Sequence, residues 1–164
     1  MASDAYIKIG DIKGESTDSN HTDWIEIESF SSSLAQMGGG GGSGTGFQTA
    51  GRVDISDLTF TKEMDKATPK LIEACCKATP IPKVEIHFVA AADNPHQYMK
   101  YELKDAIVSS VSHSAAMGGG QRPSESFSLR FSEIKWEYTG VDDAGKAETP
   151  IRTGWSLKNN KLVS

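Results

Sequence analysis

The stretch Glu125-Ser-Phe-Ser-Leu-Arg-Phe-Ser-Glu-Ile-Lys-Trp-Glu-Tyr138 decides the fold, because its apolar side chains alternate with polar ones and then change parity. Phe127, Leu129 and Phe131 occupy odd positions, whereas the apolar residues after Glu133 occupy even positions. Alternation with a period of two indicates a strand buried on one face. A change of parity at Ser132-Glu133 predicts either a β-bulge or a strand that passes from one sheet into another, as barrels and orthogonal sandwiches require.

The same alternation recurs on both sides of this stretch and predicts a mainly β protein. Six further strand regions carry it: Tyr6–Ile9, Trp24–Glu28, Arg52–Glu63, Val84–Phe88, Met99–Val111 and Ile151–Lys158. One short helix interrupts the pattern, from Thr68 as N-cap, through Pro69 as its first residue, to Lys77, before Thr79-Pro80 ends it. Its one apolar stripe predicts that it covers a face or an open end of the sheet.

Length and charge bound the class of protein. The 164 residues, with 17 Lys plus Arg against 22 Asp plus Glu, predict a single domain spanning residues 1–164 with a net charge of −5. This mild acidity argues against a nucleic-acid partner, whose binding site needs a basic face. Membrane insertion is not expected, because the apolar runs are far shorter than a bilayer requires, and the start of the chain lacks the features of a signal peptide.

Glycine is concentrated in one connection. Sixteen glycines are present, and Met37–Gly51 contains the run MGGGGGSGTG, which predicts a long protruding Gly-rich loop. This segment satisfies GxGxxG at Gly39, Gly41 and Gly44, but a stretch so rich in glycine produces such matches readily, and no βα unit surrounds it. A phosphate-binding role is therefore not favoured.

No constellation of residues indicates catalysis. The four histidines have no HxH or HExxH spacing, GxSxG is absent, and the two cysteines, Cys75 and Cys76, are adjacent rather than in CxxC spacing. We therefore expect no catalytic residues, no cofactor and no metal. The residues alone favour a building block or binding module over an enzyme.

Motifs along the whole chain resemble one family. They are Tyr6-Ile-Lys-Ile-Gly-Asp-Ile-Lys-Gly-Glu-Ser16, Asp18, His21, Trp24-Ile-Glu-Ile27, Ser29-Phe-Ser31, Phe60-Thr-Lys62, Asp65-Lys-Ala-Thr-Pro69, Leu71, Val108-Ser-Ser-Val-Ser112, the Glu125 to Tyr138 stretch and Gly154-Trp155. At this spacing the chain resembles the haemolysin-coregulated protein (Hcp) family, the tube proteins of bacterial type VI secretion. The resemblance implies a β-barrel of two sheets with one short helix packed at its side.

The resemblance also implies partners and a location. Family members form homo-hexameric rings that stack into a tube inside a contractile sheath, and the tube is expelled with a spike protein and effectors. Such a chain folds in the bacterial cytoplasm and is secreted without a signal peptide. The alternatives are a phage-type tail tube protein and, less favoured, a ligand-binding β-barrel.

Two sets of residues are candidate interaction sites under this interpretation. The Gly-rich loop is predicted to reach toward the next ring, through Gly38, Gly39, Gly40, Gly41, Gly42, Ser43 and Gly44. Alternating small hydroxyl residues just before the loop are candidates for the wall of the lumen and for effector contact, namely Ser29, Ser31 and Ser33.

Overall fold

The computed structural model describes residues 3–38 and 51–164 and is built mainly from strands. In chain order the elements are β1 (Ser3–Ile9), β2 (Ile25–Ile27), β3 (Ser29–Ser31), β4 (Leu34–Gln36), β5 (Val53–Ile55), β6 (Leu58–Glu63), α1 (Thr68–Lys77), β7 (Ile81–Ala90), β8 (His96–Ser114), β9 (Ser124–Arg130), β10 (Glu133–Tyr138), β11 (Ile151–Ser156) and β12 (Lys161–Leu162). A mainly β fold with one short helix in the described residues confirms the predicted class.

Two sheets form the body of the molecule, and the chain turns from one into the other at two corners. The first half of β8 pairs with β7, which pairs with β1, and β1 pairs with β2. At Glu28, whose amide donates to the Thr61 carbonyl at 2.8 Å, the chain leaves this sheet and continues as β3. Strand β3 pairs with β6, β6 with β9, and β9 with the second half of β8. The pairing thus returns to β8, giving a barrel of two sheets joined at corners.

Three strands extend the first sheet beyond this barrel. Strand β10 pairs with the free edge of the first half of β8, β11 pairs with β10, and β12 pairs with β11. We call β10, β11 and β12 the flange. It is the C-terminal half of the deciding stretch, together with the strands that follow it, and it lies beside the barrel as an open sheet.

The parity change predicted at Ser132-Glu133 is a corner that two paired strands share. Arg130 lies opposite Ile107, and Glu133 lies opposite Lys104, so neither strand gains a residue between these pairs. Asp105 has a left-handed φ of 50° at the same level, and the Ser132 hydroxyl donates to the Lys104 carbonyl at 3.2 Å. In both strands, therefore, the inward-facing residues change parity at the same level. Their apolar side chains remain in one continuous inner layer.

Helix α1 begins one residue earlier than predicted. Its N-cap is Ala67, without a side-chain capping bond, so the assignment of Thr68 as N-cap was wrong. The Thr68 hydroxyl instead accepts from the Asp65 amide at 3.1 Å and donates to Glu125 Oε2 at 3.0 Å. The threonine joins the helix to the barrel. An apolar stripe is present, with Leu71 and Ala74 buried and Cys75 packed against the core, but Ile72, which the sequence pattern placed in it, is exposed.

A buried ion pair lies where the helix meets the barrel. Lys62 on β6 and Glu125 on β9 are opposite each other on the inner face, and their side chains form a salt bridge at 1% and 0% exposure. Lys62 Nζ also contacts Asp65 Oδ1 at 2.8 Å, and His113 Nε2 lies 3.0 Å from Glu125 Oε1. Burial by itself raises the pKa of Glu125, but the hydrogen bonds from Lys62 and His113 outweigh it and hold that pKa below its usual range.

We predict that Glu125→Gln destabilises the fold in a pH-dependent manner. Because the folded pKa is depressed, the stabilisation by the Glu125 carboxylate is complete above the unfolded value and is lost as the pH falls through the folded value. Removing one partner of a buried pair costs about 3 kcal/mol at pH 7. The difference in unfolding free energy between wild type and variant, measured by urea denaturation, should therefore shrink below about pH 4.

The exposed Glu148 provides the matched control. Glu148→Gln should change the free energy of unfolding by less than about 0.5 kcal/mol throughout the same pH range. A loss for Glu125→Gln that stayed constant from neutral to acid pH would contradict the proposed role of the carboxylate charge.

Candidate functional site

The outer side of the β3–β6–β9–β8 sheet is covered by hydroxyl groups. They form two rows that cross all four strands at directly opposite positions. We call this surface the hydroxyl face: Ser29, Thr61, Ser126 and Ser112 in one row, and Ser31, Thr59, Ser128 and Ser110 in the other. Ser29, Ser31, Ser110 and Ser112 are exposed, whereas Ser128 is 8% exposed.

The alternation within each strand explains why these side chains share one face. Between successive hydroxyl residues lie apolar residues that point to the opposite side, since neighbouring side chains in a strand alternate. Phe30, Phe60 and Phe127 line up across three of the strands, with ring centroids 5.4 Å apart for the first pair and 5.1 Å for the second. The hydroxyl face is therefore the outer surface of a sheet whose inner surface is the aromatic core.

Hydrogen bonds between neighbouring strands organise the hydroxyl face. The hydroxyls of Ser29 and Thr61 bond to each other, and those of Ser110 and Ser128 are 2.5 Å apart. A bulge in β8 adds Ser109, which donates to Asp57 Oδ2 at 2.7 Å and lies 2.8 Å from the Ser128 hydroxyl. The polar groups are thus partly bonded to one another and partly free to bond to water or to another molecule.

This surface is suited to contact rather than to a reaction. A hydroxyl both donates and accepts hydrogen bonds, but at neutral pH it is neither a general base nor an ionised metal ligand. Within residues 3–38 and 51–164, no histidine bonds to a hydroxyl of this face, and no group of three or more His, Cys, Asp or Glu side chains has a geometry that could hold a metal ion. The face offers an uncharged surface rich in donors and acceptors.

The structure brings two of the three predicted lumen serines together. Ser29 and Ser31 belong to the hydroxyl face, in adjacent rows. Ser33 lies beyond the end of β3, where its amide donates to Ser56 Oγ at 3.1 Å. The other six hydroxyl residues were missed by sequence reasoning. Their signal was present as period-two hydroxyls in β6, β8 and β9, but their partners are far apart in the chain.

The Gly-rich connection is described only at its two ends. Strands β4 and β5 pair antiparallel, with Gln36 opposite Val53. The Met37 carbonyl approaches Gly51 closely. A Cβ atom on residue 51 would lie 1.6 Å from the Met37 carbonyl oxygen. Gly51 is therefore required where the two arms of the connection come together. Of the predicted inter-ring residues, Gly38 is within the described part, whereas Gly39, Gly40, Gly41, Gly42, Ser43 and Gly44 lie outside the described residues.

The flange presents a second candidate surface. Met99, Tyr138 and Ile151 are opposite one another on three adjacent strands, and Trp136 lies on the same side of β10. We call these four residues the apolar flange face. Exposure rises along β10 away from the barrel, from 1% at Ile134 to 50% at Tyr138, and Ile151 is 73% exposed.

An aromatic chain connects this face to the barrel. The ring centroids of Phe88 and Tyr101 are 5.6 Å apart, and those of Tyr101 and Trp136 are 6.4 Å apart. Phe30 lies 5.2 Å from Phe88 and so links the chain to the second sheet. The inner apolar layer therefore continues from the core to the outer flange, where one copy of the chain leaves it uncovered.

The described residues include no helix of sufficient length and apolar character to cross a bilayer.

Comparisons with known proteins agree with this architecture. Residues 6–138 match the family described as type VI secretion system effector, Hcp. Protein hcp1 of Pseudomonas aeruginosa is 37% identical over 162 residues, covering 98% of both chains.

Solved structures are similar over the same length. The structure of a type six secretion system protein is 36% identical, covers 99% of this chain and 100% of its own, and has a TM-score of 0.93. Hcp1 from Salmonella typhimurium is 31% identical with the same coverages and a TM-score of 0.80. A chain of the anti-feeding prophage baseplate, at 10% identity, 82% of this chain and 91% of its own, and a TM-score of 0.52, shares the fold alone. This chain therefore belongs to the Hcp family and is a tube subunit of a type VI secretion system.

Proposed function

We propose that the whole chain, residues 1–164, acts as one tube domain, that six copies close into a ring, and that these rings stack into the expelled tube. The observation that carries the proposal is the apolar flange face, which continues the core and is left half exposed in one copy. Large exposed apolar patches mark interaction sites. A second copy placed over the flange would cover this face, and repetition of that heterologous contact closes a ring.

Charge limits how such rings can stack. Six copies at −5 give each ring a net charge of about −30, so two rings repel each other as they approach. Stacked faces therefore need complementary local charges or a dedicated connecting segment. The Gly-rich segment Gly38–Gly44 is our candidate for that connection, since it lies between two paired strands, β4 and β5, whose ends come together at Gly51.

The hydroxyl face is our candidate for the wall of the lumen. It is uncharged over two rows, so it would form hydrogen bonds with a passing or stored effector without binding it strongly through charge. Of the three serines predicted to line the lumen, Ser29 and Ser31 belong to the hydroxyl face, and Ser33 lies just beyond them. Under this proposal the function depends on surfaces, with no enzymatic step. Effectors, the spike and the sheath are its partners, and the chain folds in the bacterial cytoplasm before it is expelled.

The two alternative functions are weaker. A ligand-binding barrel needs an internal cavity, but the interior is filled by Ile7, Phe60, Phe127 and Leu129, all at 0% exposure. A phage-type tail tube shares the architecture, and the anti-feeding prophage baseplate chain is in line with it at the level of fold. The family match and the identities above 30% favour type VI secretion.

The ring is tested by Ile151→Asp. Since Ile151 is 73% exposed, the fold of one copy should be unaffected, whereas a buried charge in the contact between copies should prevent ring closure. We expect mass measurement by light scattering to give hexamers for wild type and monomers for the variant, with the same far-ultraviolet circular dichroism spectrum for both. Met117→Asp, at a 91% exposed apolar residue outside the flange, should remain hexameric. Intact hexamers of Ile151→Asp would count against this contact.

The lumen assignment is tested by Ser31→Gln. A longer side chain on the hydroxyl face should obstruct effector binding in the lumen while leaving the ring intact. We expect at least tenfold weaker co-purification of a cognate effector with hexamers of the variant. Thr149→Gln, an equally bulky change at an exposed hydroxyl in the β10–β11 connection, is the control and should bind normally. Undiminished effector binding by Ser31→Gln would contradict the assignment of the hydroxyl face to the wall of the lumen.

The connecting role of the Gly-rich segment is tested by deleting Gly39–Gly44. Rings should still form, because the apolar flange face is unchanged, but electron microscopy should show no stacked tubes and secretion should be lost. Deletion of the other glycine run, Gly118–Gly120 between β8 and β9, is the matched control and should leave tubes intact. Normal tubes in the first deletion would contradict the proposal.

A further inference from the structure

A loop on the outer side of the barrel is held in place by a buried histidine. The connection from Lys13 to Trp24 folds back over β1 and β7, and His21 at its centre is 5% exposed. The His21 ring stacks on Tyr6, with centroids 4.4 Å apart and planes at 7°, and the Trp24 ring meets its edge at 4.9 Å. Aromatic contacts thus enclose the His21 ring.

His21 belongs to a row of four titratable side chains. Asp18 Oδ2 lies 2.7 Å from His21 Nδ1, and His21 Nε2 lies 2.9 Å from His87 Nδ1. His87 Nε2 is buried and has no hydrogen-bond partner among the described residues, although Glu85 Oε2 is 3.5 Å away. The row therefore has three contacts, each of which needs one proton between its two atoms.

When both imidazoles are neutral, the row has one proton fewer than its three contacts need. Two neutral imidazoles carry two N–H groups, which serve the Asp18–His21 and His21–His87 contacts. With those two protons on His21 Nδ1 and His87 Nδ1, His87 Nε2 is left with a lone pair, which faces the Glu85 carboxylate at 3.5 Å. A third proton would complete all three contacts. A fourth would place N–H groups on both atoms between the two rings and break their hydrogen bond.

We propose that Asp18, His21, His87 and Glu85 form a proton-operated clasp, in which uptake of one proton tightens the 13–24 loop on the barrel and uptake of a second releases it. On the first uptake, the His87 Nδ1 proton passes along the hydrogen bond to His21 Nε2, and a solvent proton binds His87 Nε2. The positive charge then lies on His21, beside Asp18, while His87 stays neutral and donates to Glu85.

The charges around the row agree with this distribution. Burial, then the neighbouring His21, lowers the pKa of His87 to about 4, with Lys100 acting in the same direction and Glu85 opposing it. His87 is thus kept neutral, so its response is a change of tautomer. Lys83 and Lys100 also face Glu85, at 2.6 and 3.7 Å, and keep it ionised. On the β1 and β2 side, His21 faces the Tyr6 ring, which lies opposite Glu26 and near Asp4.

The 13–24 loop also contacts two other connections of the chain. Glu15 within the loop contacts Arg122 of the β8–β9 connection at 3.0 Å, and Asp23 contacts Lys66 ahead of α1 at 3.9 Å. Tightening or release of the loop therefore changes how three connections at this part of the barrel are held together. This inference concerns the folded chain itself and is independent of the proposed ring and lumen.

The wild-type protein, with histidine ring nitrogens labelled by ¹⁵N, tests the proposal between about pH 8 and about pH 5. We expect His87 to carry its proton on Nδ1 at the upper end and on Nε2 at the lower end. Amides of the 13–24 loop should exchange at least threefold more slowly at the lower end, after correction for intrinsic exchange. A single His87 tautomer throughout, or loop exchange unchanged across the transition, would overturn the clasp.

Asp18→Asn provides an independent test, because it removes the carboxylate that stabilises the charged His21 but keeps an oxygen that can accept its hydrogen bond. The tautomer change of His87 should then occur about one pH unit lower. His96, which contacts the Thr139 carbonyl at 2.9 Å on another part of the sheet, is the internal control and should titrate as in wild type. A His87 transition at the original pH in Asp18→Asn would overturn the proposal.

Discussion

The corner shared by β8 and the β9–β10 stretch is the constraint on which the rest of the structure depends. The inward side of both strands changes at the level of Asp105 and Ser132, while the pairing of Ile107 with Arg130 and of Lys104 with Glu133 keeps its register. If one strand turned over alone, its apolar residues would face solvent beyond the corner. Because the two strands turn together, one apolar layer continues from the barrel into the flange.

This continuity links the two candidate surfaces mechanically. The hydroxyl face lies on the barrel side of the corner and the apolar flange face on the other, yet β8 and the β9–β10 stretch contribute residues to both. A contact made at Ile151 is therefore connected to Ser110 and Ser128 by paired backbone rather than by a flexible loop. Surfaces that must hold a fixed orientation to each other, as in a tube wall, are well served by such an arrangement.

Local features of the fold could be predicted from the sequence, whereas contacts between distant residues could not. The parity change at Ser132-Glu133 and the end of the helix at Lys77 both follow from local patterns, and the structure has them where the patterns indicate. Thr68 was wrongly assigned as an N-cap because its hydroxyl bonds to Glu125, which lies 57 residues away in the chain. Lys62 and Glu125 share the parity of Phe60 and Phe127, so their inward position was implied, but their pairing was not.

The sequence by itself determined most of the strands and the faces they bury, because alternation depends only on neighbouring residues, and its motifs indicated the family by resemblance. The tertiary structure decided which faces meet. Eight hydroxyls become one surface only when β3, β6, β9 and β8 pair in this order. Likewise, His21 and His87 are 66 residues apart and acquire a shared proton contact only after the loop folds over β1 and β7. Long-range pairing reflects the packing of the whole core, which no local pattern contains.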